Sequence, residues 1–73
     1  MNKKTKMTYT DDQSNNLTIE FTDKSKKVNV NYLHNKYTFD FDFNRQYKLE
    51  HVARFVMKKL DIDYLILVGI ESR

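Results

Sequence analysis

Cysteine, proline and tryptophan are all missing from the 73 residues of this chain, and glycine and alanine occur once each. Without cysteine there is no disulfide staple and no thiolate ligand, two of the usual supports of a very small domain. A single glycine, Gly69, cannot build a glycine-rich phosphate loop. The two histidines, His34 and His51, are a whole strand apart and have no HxxxH or cysteine companion, so no metal site is expected. Long apolar runs are missing too. The longest, residues 64–70, has seven members, against the ~20 that a membrane helix needs. Asn2, Lys3 and Lys4 lead into Thr5, Lys6 and Thr8 rather than into an apolar stretch, so no secretion signal is expected either. These absences lead to the expectation of a soluble cytoplasmic protein with no membrane contact.

A chain of this length forms one domain and buries roughly 60% of the surface it exposes when unfolded, so its stability margin is small. Thirteen basic residues are mixed with ten acidic ones, for a net charge of +3. That balance permits nucleic-acid contact without requiring it. Residue usage leans to Lys, Asn, Asp, Phe, Tyr and Ile, amino acids with A/T-rich codons. Such usage is that of low-GC bacteria and their phages.

Residues 1–6 are polar, basic and aperiodic, and are expected to form a loose arm ahead of a single α+β domain over 7–73. Met7 and Tyr9 alternate with Thr8 and Thr10 as a weak first strand. Leu17, Ile19 and Phe21 alternate with Thr18, Glu20 and Thr22, and Val28, Val30 and Tyr32 with Asn29 and Asn31. Tyr37, Phe39, Phe41 and Phe43 alternate with Thr38, Asp40 and Asp42, the cleanest period-two signal present. The intervening clusters, 12–16, 23–26 and the tight His34-Asn35-Lys36, read as turns. The period then changes: Leu49, Val52, Ala53, Val56 and Leu60 mark one face of a helix, with Asn44 as its expected N-cap. The expected fold is an antiparallel β-meander of about four strands, one α-helix packed on one face, and a C-terminal strand, in the order β-β-β-β-α-β.

The last strand is the anomaly. An apolar run needs cover on both faces, and one helix covers one. If Leu65 and Leu67 point at the helix, then Tyr64, Ile66, Val68 and Ile70 form an uncovered stripe, the kind of patch that marks an interface. These four residues are the expected self-association surface, making a homodimer the expected state. Gly69 removes a side chain where another backbone could approach. The outward helix face carries His51, Arg54 and Lys58, with Phe55 and Lys59 on its flank. Basic groups beside an aromatic ring suit an acidic protein surface or nucleic acid, although a solvated face with Phe55 tucked against the sheet is the plainer outcome. Asp40, Asp42, Asp61 and Asp63 are carboxylates without the spacing of a calcium loop.

No acid, base and nucleophile can be assembled from these spacings, and one helix on a small sheet does not enclose a ligand-sized pocket. The expected function is therefore a small non-enzymatic binding protein that occupies a protein partner, with no cofactor and no small-molecule substrate. An inhibitor made by a phage or other mobile element against a host defence protein or nuclease, in the manner of anti-CRISPR proteins, fits this class and would work in the host cytoplasm. The alternative is a small nucleic-acid-binding module using the basic helix face and the lysine-rich turns.

Overall fold

The computed structural model describes residues 4–22, 26–41 and 48–72. It contains β1 (Lys4–Thr10), β2 (Asn16–Thr22), β3 (Lys27–Tyr32), β4 (Asn35–Asp40), α1 (Leu49–Leu60) and β5 (Ile66–Ser72), the α+β order expected from the sequence. The first four strands form an antiparallel meander, and β5 adds to its far side, giving the order β4-β3-β2-β1-β5. All neighbours are antiparallel, so β4 and β5 run in the same direction at opposite edges. The segment containing α1 carries the chain from one edge to the other.

Alternation places one residue in two on the inner face, and register lines them up across strands. Met7 stands opposite Ile19, Ile19 opposite Val30, and Val30 opposite Tyr37. Met7, Leu17, Ile19, Val28 and Val30 are fully covered, as are Val52 and Val56 of the helix. Each large side chain so buried contributes roughly 1.5–3 kcal/mol before conformational entropy is set against it. The helix follows from its apolar stripe, with Glu50 in the first turn and Lys58 and Lys59 in the last, each suited to the local end of the dipole. It stops at Asp61, which turns left-handed (φ 56°), and the Ile62 N–H reaches back to the Met57 carbonyl at 2.9 Å.

The structure departs from the sequence expectations in several places. Strand β1 begins at Lys4, so Lys4, Thr5 and Lys6 pair with Thr22, Phe21 and Glu20 instead of forming part of an arm. That strand is not weak: it lies between two neighbours, and Thr8 and Thr10 occupy the polar face while Thr5, Met7 and Tyr9 are buried on the other. In the β3–β4 hairpin the left-handed residues are Leu33 and His34, at φ 51° and 64°, because Tyr32 pairs with Asn35. A two-residue hairpin turn demands positive φ at both central positions, whatever residues occupy them. The helix starts behind Lys48, four residues beyond the expected cap. Asn44, Asp42 and Phe43 lie outside the described residues.

Candidate functional site

A helix is about 10 Å across and strands are ~4.8 Å apart, so one helix covers two or three strands of a sheet. Here α1 leans toward β4. The Phe55 ring meets Phe41 edge-to-face at 5.1 Å and Phe39 at 6.2 Å, and Phe39 stacks on Tyr37 at 6.0 Å. Ile62 and Leu65, in the segment after the helix, extend the cover by packing against the core. Beyond them cover ends. Every residue of β5 is exposed. Tyr64 is 46% exposed, Ile66 50%, Leu67 48%, Val68 62% and Ile70 44%.

Register shows how these side chains are disposed. Ile66 stands opposite Thr10, Leu67 opposite Tyr9, Gly69 opposite Thr8 and Ile70 opposite Met7, which leaves Val68 as the extra residue of a bulge. Ile66 therefore shares the polar face with Thr10, while Leu67 and Ile70 share the helix-side face with Tyr9 and Met7. This corrects the expected single stripe. The bulge resets the alternation, so Ile66 and Ile70 lie on opposite faces, and Leu67 is exposed because the helix does not reach it. Among the described residues no strand lies on the outer side of β5. A Cβ placed on Gly69 would meet nothing within 4 Å, and its φ is not left-handed. Nothing among the described residues requires glycine there.

The helix face is arranged differently. Arg54 and Lys58 are exposed, as is His51, whose Nδ1 accepts the Lys48 backbone N–H at 3.3 Å at the helix start. Phe55 is half-buried and committed to Phe39 and Phe41, and the Lys59 ammonium lies 5.5 Å from its ring centre. Phe55, Lys58 and Lys59 line one shallow depression. A stacking platform for a base needs a free ring face. Phe55 is half-buried against Phe39 and Phe41 with the Lys59 ammonium beside it, leaving Arg54 and Lys58 as a small exposed basic pair.

One polar centre was not visible as such in the sequence. Asp11 closes the β1–β2 loop: its Oδ1 accepts the backbone N–H of Gln13 at 2.9 Å and of Asn15 at 2.8 Å, and its Oδ2 accepts the Asn15 amide at 3.1 Å and the Tyr32 hydroxyl at 2.5 Å. The Tyr32 hydrogen bond is the largest cause lowering the Asp11 carboxyl from 3.8 to about 2, with the Asn15 and Gln13 donors adding to it against some desolvation. The same bond pushes Tyr32 up to about 12. An aspartate two residues before a turn amide is a readable turn signal, but the partner 21 positions away depends on strand order. These hydrogen bonds close the loop and tie it to β3. The other carboxylates are dispersed: Asp40 ends β4 and Asp61 caps the helix. Among the described residues no three His, Asp or Glu side chains come close enough to hold a metal ion, and no helix is long and apolar enough to cross a membrane.

On the polar face, Lys4 pairs with Glu20 at 3.1 Å beside Lys6 and Glu71. Exposed pairs of this sort add ~0–1 kcal/mol and mark no site by themselves. The free edge of β5 is thus the feature that packing within the subunit leaves unresolved. Comparison with protein families, curated proteins and solved structures finds no match to this chain.

Proposed function

We propose that this chain is a non-enzymatic binding protein that acts by occupying a protein partner, with the free edge of β5 as its gripping strand. The observation that carries this is the combination, on one edge strand, of open backbone groups and exposed Ile66, Leu67, Val68 and Ile70. An edge of that kind is a template for strand addition: main-chain hydrogen bonds supply affinity and the alternate side chains supply selectivity. A non-catalytic role is supported by the commitment of the Asp11 carboxylate to its own loop and to Tyr32. Within this class, an inhibitor that a phage or mobile element directs at a host defence protein or nuclease suits the short chain and its A/T-leaning residue usage. Its place of action would be the host cytoplasm.

The competing possibility, nucleic-acid binding through Arg54 and Lys58, has the exposure of those two side chains in its favour and the engagement of Phe55 against it. Capture from a lysate of a low-GC bacterium, with and without nuclease, separates the two. Immobilised wild type should retain a protein after nuclease treatment. The Arg54→Ala/Lys58→Ala variant should retain it too, and Val68→Lys should lose it, whether β5 meets the partner directly or presents it through another chain. Capture abolished by nuclease or by the helix variant, with Val68→Lys unaffected, would replace protein binding by nucleic-acid binding and its steep salt dependence.

A further inference from the structure

We infer that the occupant of the β5 edge is a second copy of this chain, paired antiparallel about a two-fold axis that passes between Val68 and Gly69, so that two five-stranded sheets become one. This rests on β5 being the binding strand: the second copy takes its backbone edge, and a captured protein then meets the exposed side chains of the joined strands.

Four observations lead there. The first is the contrast in charge between the edges of the sheet. β4 carries Lys36 and Asp40, both exposed, while β5 has no charge before Glu71. Pairing β4 of one copy with β5 of the next would set a charged strand beside an apolar one and would repeat without closing. Pairing β5 with β5 closes at two copies and leaves only the charged β4 edges outside. No like charges meet at the axis, since the centre of the strand is Leu67, Val68, Gly69 and Ile70.

The second is available area. The exposed parts of Tyr64, Ile66, Leu67, Val68 and Ile70 amount to roughly 500 Å² per chain, so two chains can bring at most about 1,000 Å² of side chain to the joint, the lower limit of specific interfaces. The third is register. Because of the bulge, Leu67 and Ile70 lie on the helix-side face, and Ile66 and Glu71 lie on the polar face. An axis between Val68 and Gly69 sets Leu67 opposite Ile70 of the second copy and Ile66 opposite its Glu71, keeping like faces together on either side of the axis. An unbulged strand would have to pair about a residue instead of between two. The fourth is Gly69, which no contact inside the subunit calls for. At the axis it lies opposite Val68 of the second copy, where the missing side chain gives that isopropyl group room.

The test uses the whole chain. Sedimentation equilibrium should give twice the chain mass at high concentration, falling toward the single-chain mass on dilution. Val68→Lys and Ile66→Lys should each give the single-chain mass with unchanged circular dichroism and with the unfolding midpoint of dilute wild type, because both side chains are already exposed in one subunit. The natural absence of cysteine makes cross-linking clean. With an added oxidant, Val68→Cys beside the axis should form a covalent dimer, and Thr38→Cys on β4 should not. A wild type that remains a single chain up to millimolar concentration overturns the inference. So does a dimer that survives both lysine variants, or one that cross-links through position 38 and not 68. The two proposals fail separately. A monomeric wild type whose captured partner is still lost with Val68→Lys removes the second copy and leaves the binding role standing.

Discussion

β4 and β5 are both edge strands of the same sheet, run in the same direction, and each pairs with one neighbour. Along β4 the outward positions are Lys36, Thr38 and Asp40. The Thr38 hydroxyl donates to Asn29 at 3.0 Å, and Asp40 stands opposite Lys27. Its inward positions, Tyr37 and Phe39, are held under the helix by Phe55. Along β5 neither device is present: the outward and inward sides alike are exposed, and the first charge comes at Glu71. One sheet therefore has an edge finished by its own chain and an edge that nothing among the described residues finishes. The difference follows from the reach of one helix, which serves the β4 side and falls short of β5.

The largest expected effect tests that asymmetry of anchoring. Phe55→Ala removes the ring that joins the helix to Phe39 and Phe41, and should cost about 2–4 kcal/mol, somewhat below a fully buried phenylalanine because the ring is half-covered. Leu67→Ala, on a strand the helix does not reach, should cost under about 1 kcal/mol. Urea unfolding at one fixed chain concentration measures both, the fixed concentration being needed because association adds to apparent stability. Equal losses would mean that β5 is packed as β4 is.

A smaller, qualitative effect comes from stripping the charged edge. Lys36→Ile with Asp40→Val gives the chain two uncharged edges, and a molecule with two such edges can add copies without limit. Light scattering should then rise with concentration in the double variant, while wild type reaches a fixed size. If the double variant behaves as wild type does, Lys36 and Asp40 are ordinary surface charges.

How far this contrast was legible in sequence depends on the strand. The period-two patterns of Leu17–Ile19–Phe21 and Val28–Val30–Tyr32 fixed their inner faces, because a one-residue slip would have exposed every large side chain. The i, i+3, i+4 spacing of Leu49, Val52, Ala53 and Val56 did the same for the helix. The surplus of apolar surface at the chain's end was legible too, since it needs only a comparison of faces to be covered with elements able to cover them. The disposition of that surface was not. Val68 is a bulge because β1 and β5 shift register between Thr8 and Tyr9, a relation between strands nearly 60 residues apart that no local period encodes. Phe55 lies off the apolar stripe on the helical wheel, and the plainer reading of it, a ring tucked against the sheet, is the arrangement found against Phe39 and Phe41. Leu33 at positive φ runs against its own preference, because the pairing of Tyr32 with Asn35 overrides it.

The smallest expected effect concerns pH and again separates the two edges. Asp11 ends β1, the strand that holds β5, and its bond to Tyr32 ties that end to β3. Its carboxyl is lowered from 3.8 to about 2 in the folded chain, so the fold binds the ionised form more strongly than the unfolded chain does. The resulting stability is complete above the ordinary carboxyl value and is lost as pH falls through the window from 3.8 to about 2. Tyr32 is shifted the opposite way, from 10.0 to about 12, so the neutral hydroxyl's contribution is complete below 10.0 and is lost as pH rises through that window. Between them the bond is whole. Amide hydrogen exchange followed from neutral pH down through the acid window should therefore show protection falling in the β1–β2 loop and along β5 before it falls along β4, whose anchor is the uncharged Phe55. Tyr32→Phe removes the shared hydroxyl and should flatten the acid dependence while leaving the fold assembled at neutral pH. If β4 opens first, or Tyr32→Phe keeps the full acid response, Asp11 does not hold the β5 side of the sheet.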